Sequence, residues 1–136
     1  MDMRRRIHGS ALLILALASL VLAANHGAAQ VDTPPAKRLR GSATVRGDIG
    51  GESHDSYVIH ARKGQRMTVR ISWRRESDNR AEFSVSETPD FGAQVEFGRE
   101  SDSGRMWSGR IPRTGDYHIH VTAYPTARYT LSVTVK

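Results

Sequence analysis

From Thr44 onward the chain alternates apolar and polar residues with a period of two, the signature of half-buried strands. Across 65–74, Met67, Val69, Ile71 and Trp73 fall on one face, and Thr68, Arg70, Ser72 and Arg74 on the other. Across 116–123, Tyr117, Ile119, Val121 and Ala123 share a face; His118, His120 and Thr122 take the opposite, solvent side. Tyr129, Leu131, Val133 and Val135 repeat the rule over 128–136, and Tyr57, Ile59 and Ala61 do so over 53–62. Phe83 with Val85, Val95 with Phe97, Met106 and Trp107 with Ile111, and the run Thr44–Ile49 bring the expectation to about eight short strands. Turn chemistry separates them: Gly50-Gly51, Lys63-Gly64, Ser77-Asp78-Asn79, Pro89-Asp90, Ser103-Gly104 and Thr114-Gly115-Asp116. No segment after residue 30 carries an apolar stripe of helical period. The pattern predicts an all-β domain, an antiparallel β-sandwich over 42–136, because two packed sheets bury all these faces at once.

The first residues follow another logic. Arg4-Arg5-Arg6 precedes the apolar run Ala11–Leu22, about a dozen residues against the roughly 20 that a bilayer span needs. Small residues follow, with Gly27 and Ala29 at the positions an export peptidase restricts. Residues 1–29 are expected to be a cleaved signal peptide on a helix, and 30–41, with Pro34-Pro35, a linker. The expected location is periplasmic or secreted, with no membrane attachment after cleavage.

Composition narrows the chemistry. The 136 residues contain no cysteine, which excludes disulfides, thiolate catalysis and thiolate-bound zinc. The formal net charge is +6, but the leader contributes three arginines and only Asp2 among the acids. The remaining arginines are scattered along the chain rather than gathered with aromatic partners, so no nucleic-acid binding is expected. An acidic partner or an anionic envelope polymer fits the residual charge better. There is no Gly-x-Ser-x-Gly elbow, and a small filled sandwich lacks the cleft that paired carboxylates need. The chain is read as non-catalytic and without a cofactor. His118 and His120, two apart on one strand face, could bind a metal together with His60 or His54, but a polar outer face explains them as well, and no metal site is assigned. Glu100-Ser101-Asp102-Ser103-Gly104 is read as an ordinary acidic turn. Trp73 ends an apolar alternation and is placed in the core or at its rim; Trp107 breaks the parity set by Met106, so one of the two could mark an exposed binding surface.

Three motifs carry a family resemblance: Tyr57–Gln65, with its Ala-x-Lys-Gly-Gln turn; Ile111-Pro112-Arg113-Thr114-Gly115-Asp116-Tyr117; and the closing Tyr129-Thr130-Leu131-Ser132-Val133. Together they resemble the bacterial pre-peptidase C-terminal (PPC) type of β-sandwich. With Gly47-Asp48-Ile49-Gly50-Gly51 and Asp55-Ser56-Tyr57, the chain more closely resembles the periplasmic inhibitors of g-type lysozyme. The resemblance implies a secreted protein that blocks the cleft of a wall hydrolase with loop residues, as a monomer or weak dimer. In that family an aromatic follows the Gly-acid-Ile-x-Gly motif, where Glu52 and His54 stand here. A longer basic loop precedes its last strand; here the connection is Tyr124–Arg128. The candidate partner-binding residues are therefore Glu52, His54, Tyr124 and Arg128. The alternatives are a general PPC-like envelope module that binds polysaccharide or protein, and a small periplasmic metal-binding protein.

Overall fold

A computed structural model describes residues 35–136, so the expected signal peptide lies outside the described residues. Nine strands form: β1 (Lys37–Leu39), β2 (Ala43–Gly50), β3 (His54–Ala61), β4 (Arg66–Trp73), β5 (Arg80–Ser86), β6 (Arg99–Ser101), β7 (Met106–Arg110), β8 (Gly115–Tyr124) and β9 (Thr126–Val135). They make a four-stranded sheet, β1-β3-β8-β5, and a five-stranded sheet, β2-β9-β4-β7-β6. Every pairing is antiparallel except β1 with β3. The domain is an all-β sandwich.

The period-two pattern places the core between the layers. Tyr57, Ile59, Tyr117, Ile119 and Val121 of the first sheet meet Met67, Val69, Ile71, Leu131 and Val133 of the second, all buried. Each such side chain removed from water contributes roughly 1.5–3 kcal/mol before chain entropy is set against it. One polar chain crosses this interior. The Tyr57 and Tyr129 hydroxyls lie 2.6 Å apart, Tyr129 donates to the Asp55 carboxylate, and Lys37 Nζ reaches Asp55 Oδ1 at 3.0 Å. Burial and the neighbouring carboxylate push the Tyr129 phenol far above its ordinary pKa, so it stays a donor. Gly47 sits opposite Tyr129, and a Cβ there would collide with the ring. The glycine that opens the Gly-Asp-Ile-Gly-Gly motif thus makes room for the inter-sheet tyrosine. The corner before β8 closes through Tyr117, whose hydroxyl donates to the Arg113 carbonyl at 2.7 Å, and through Thr114, whose Oγ1 accepts from Lys63 N at 2.9 Å.

The structure departs from the sequence reading at several places. Lys37–Leu39, expected in a linker, adds a parallel strand to β3, pinned by Lys37–Asp55 and by Arg38 on Asp116 at 2.9 Å. Val95 and Phe97 do not form a strand. They belong to the irregular segment 87–98, which is tied to β5 by Val95 N on the Val85 carbonyl (2.8 Å) and Gln94 Oε1 on Val85 N (3.0 Å). Phe97 then packs edge-on against Trp107 and Tyr117, at 5.7 and 6.1 Å between centroids. Trp107 is buried at 1% exposure, and Met106 is the outward member of that pair. Trp73 is half-buried and donates to the Asn79 carbonyl at 3.1 Å, with the Arg105 guanidinium 4.6 Å above its ring. Neither tryptophan supplies an exposed surface.

Candidate functional site

Three turns meet at one end of the sandwich. The β2–β3 turn contacts the β8–β9 hairpin through Gly51 N on the Pro125 carbonyl at 2.9 Å. The β4–β5 turn joins them: Asn79 Nδ2 donates to the Thr126 carbonyl at 3.3 Å, and Arg74 N to the Arg128 carbonyl at 3.3 Å. Gly51, at φ +63°, and Ser77, at φ +57°, adopt the left-handed conformation that tight turns require. Asn79 holds its turn from within, accepting from Glu76 N (2.9 Å) and donating to the Arg74 carbonyl (3.1 Å).

The four sequence-predicted residues fall around this end, but not all in loops. Glu52 lies exposed in the β2–β3 turn. Tyr124, the last residue of β8, is 70% exposed. Arg128 was expected in a connecting loop. Only Pro125 separates β8 from β9, so Arg128 is instead a strand residue on the outer surface of the five-stranded sheet, paired with Asp48 at 3.1 Å. His54 begins β3 and shares with Tyr124 the outer surface of the four-stranded sheet, the side away from Arg128. Arg74, from the β4–β5 turn, joins Asp48 and Arg128 at a shallow trough of ≈ 530 Å³.

His54 belongs to a second cluster, in which Phe91 joins the histidines that the sequence had grouped. Phe91, from the segment 87–98, folds over the outer surface of the four-stranded sheet, 5.0 Å from the His54 ring and 5.7 Å from His120. His118 stacks on His120 at 6.3 Å. The expectation that His118 and His120 face solvent is therefore corrected for His120, which is 2% exposed and shares a 2.9 Å hydrogen bond with Ser56 Oγ through Nδ1. Burial, then the neighbouring His118 and His54, pull its pKa down and keep the ring neutral. Among the described residues no group of three or more His, Cys, Asp or Glu side chains is placed to hold a metal ion.

No protein-family model matches the chain, and no curated protein sequence does. Solved structures do. The sandwich is similar to PliG of Aeromonas hydrophila, a periplasmic lysozyme inhibitor of g-type lysozyme. The two are 26% identical with a TM-score of 0.57, over 74% of this chain and 96% of that one. PliG of Salmonella Typhimurium matches at 24% identity and a TM-score of 0.53, over 74% of this chain and 97% of that one. The pre-peptidase C-terminal domain of a Bacillus anthracis collagenase shares the fold at 18% identity and a TM-score of 0.55, over 74% and 95% of the two chains. The PPC-like sandwich expected from the sequence motifs is the fold of this protein.

Proposed function

We propose that the protein is an exported, non-catalytic inhibitor-type module that blocks the substrate cleft of a g-type lysozyme or a related wall hydrolase. The observation that carries this reading is the end of the sandwich where three turns meet, on a scaffold similar to PliG. Tyr124 projects there with most of its surface free, opposite Arg80 across the β5–β8 pairing, and the Gly51–Pro125 bond ties its hairpin to the turn that carries Glu52. A rigid aromatic beside an arginine suits insertion into a cleft lined by carboxylates, since guanidinium–carboxylate pairs are directional and strong. The framework around it is fixed by backbone hydrogen bonds, so little order is lost on docking.

The test mixes protein recovered after export with g-type lysozyme and follows the clearing of a cell suspension. Inhibition is expected at near-stoichiometric protein. Tyr124→Ala should weaken it about tenfold, as loss of an interface anchor does, with the thermal midpoint unchanged. Lysis that proceeds undiminished at large molar excess removes the proposal.

A further inference from the structure

We propose that the outer surface of the five-stranded sheet is a second binding surface, and that its ligand is an extended acidic polysaccharide. The inference stands apart from the lysozyme reading, because it rests on Arg66, Arg70 and Arg110 at the far end of β4 and β7 and not on the end where the turns meet. Its first support is a row of cations. Arg66 on β4 lies directly opposite Arg110 on β7, and on its other side Arg66 exchanges backbone hydrogen bonds with Lys136, at 2.7 and 3.1 Å. Three cationic residues thus stand side by side across adjacent chains about 4.8 Å apart. Like charges directly opposite in a sheet cost stability, and of the three only Arg110, which donates to the Gly64 carbonyl at 2.9 Å, has a short side-chain bond to offset it.

The second support is the absence of compensation. Arg46, Arg66, Arg70, Arg99 and Arg110 all point outward from this sheet, and among the described residues none has a carboxylate within 4.0 Å. The one acid on this surface among the described residues, Asp48, is already paired with Arg128. Ion pairs hold Arg38, Arg74, Arg80 and Arg113, and the other bases without one, Arg40, Arg62, Lys63, Arg75 and Arg105, lie in turns and loops, so between the two sheets the excess belongs to this surface.

The third support identifies the ligand class. Between the arginines runs a strip of hydroxyls: Thr134 pairs with Thr68 and Thr68 with Ser108, and Thr44 pairs with Ser132. Thr68 and Ser108 stand 3.1 Å apart, as do Thr44 and Ser132. A flat field of hydroxyls edged by guanidinium groups matches a chain carrying both hydroxyl and carboxylate groups, the arginines taking the carboxylates. No aromatic side chain stands on this surface to stack bases, and its single apolar side chain, Met106, is half-buried rather than raised to enter a lipid layer.

The experiment measures binding of the exported protein to polygalacturonate, a linear carboxylated polysaccharide, by affinity electrophoresis at increasing salt. Retention that falls with salt is expected, with none on neutral dextran. The triple variant Arg66→Thr, Arg70→Thr, Arg110→Thr should bind about tenfold more weakly or worse, as loss of three exposed cationic contacts predicts, while still unfolding in one cooperative transition and keeping any lysozyme inhibition. Unaltered binding by the triple variant overturns the assignment, as does failure of the parent protein to be retained at low salt. Equal or tighter binding to single-stranded DNA, to inorganic polyphosphate or to vesicles of anionic phospholipid also overturns it, since the hydroxyl strip would then have no part.

Discussion

The two outward surfaces of the sandwich are built from the same alternation and end in opposite states. On the four-stranded sheet stand the histidines of the described residues, His54, His60, His118 and His120, and the chain covers part of that surface with its own segment 87–98. Polar groups there are drawn inward: His120 is as buried as many core residues, and it is bonded to the nearly buried Ser56. On the five-stranded sheet the outward positions are arginine, threonine and serine, and no described segment lies over them as Phe91 lies over the histidines. The lesson is that period-two patterning decides which side chains enter the core but says little about the other side. A polar outward residue becomes a buried, neutral histidine or a bare arginine depending on whether a distant segment returns to cover it.

The largest test of this contrast removes the anchor of the cover. Phe97 wedges its ring against Trp107 and Tyr117, and the next residue, Gly98, passes so close that a Cβ there would sit 2.5 Å from Trp107 Cζ2. Phe97→Ala should cost about 2–3 kcal/mol in urea unfolding, below the full range for a buried Phe because Phe97 is only partly buried. It should also make the segment 87–98 the first site of limited proteolysis, while polygalacturonate retention stays intact. A loss under about 1 kcal/mol would mean that the segment is held by its backbone bonds to Val85 rather than by the ring.

The same segment shows where sequence reading stops. Strands β3, β4, β8 and β9 and their inward faces were legible because each carries several alternating apolar residues. Val95 and Phe97, two apart, looked like one more strand, yet two inward side chains are equally compatible with an irregular segment laid on a core. Strand β6 was invisible, since Arg99–Ser101 is exposed throughout, and β1 has only Leu39 as an apolar contact. At the site, Glu52 was legible as a turn residue beside Gly51, and Tyr124 as a neighbour of Pro125, although it closes β8 rather than lying in a loop. Arg128 was misplaced because nothing local tells a loop from a hairpin as tight as this one. Phe91 was missed because its contact with His54 and His120 depends on where 87–98 returns, which no nearby residue encodes.

Next in size is the buried polar pair. Ser56→Ala leaves His120 Nδ1 buried without its partner and should cost about 1–3 kcal/mol. The pair also sets a pH dependence. His120 has a folded pKa below its ordinary 6.5, owing first to burial and then to His118 and His54, with the Thr88 backbone and Asp90 opposing. Above pH 6.5 the ring is neutral in both states and the folded form bears no penalty. As pH falls below 6.5 the unfolded chain takes up a proton that the folded chain refuses, so stability declines until pH passes the folded pKa. Thermal midpoints measured downward from pH 7 should show this decline, and His120→Phe should remove most of it. A separate decline belongs to Asp116, which Arg38 and His60 hold to about 2 against an ordinary 3.8. That contribution is complete above 3.8 and is lost only as pH falls towards 2.

The smallest predicted effect has the opposite sign and sharpens the contrast most. Arg66 is flanked by Arg110 and Lys136, and its one side-chain hydrogen bond, to Ser108 Oγ, is long at 3.5 Å. Replacing it by threonine relieves like-charge repulsion and supplies a β-branched residue to a strand, so Arg66→Thr should raise stability by about 0.2–1 kcal/mol. Added salt should stabilise the parent protein more than the variant, because screening weakens the same repulsion. On the other sheet, Arg38 bonds Asp116 through both guanidinium nitrogens, and Arg38→Thr should lower stability or leave it unchanged. Stabilisation on one surface and none on the other would mean that the arginine row is kept at a cost to folding, as a surface maintained for a ligand would be. A destabilising Arg66→Thr would make the row a structural feature and return both surfaces to one rule.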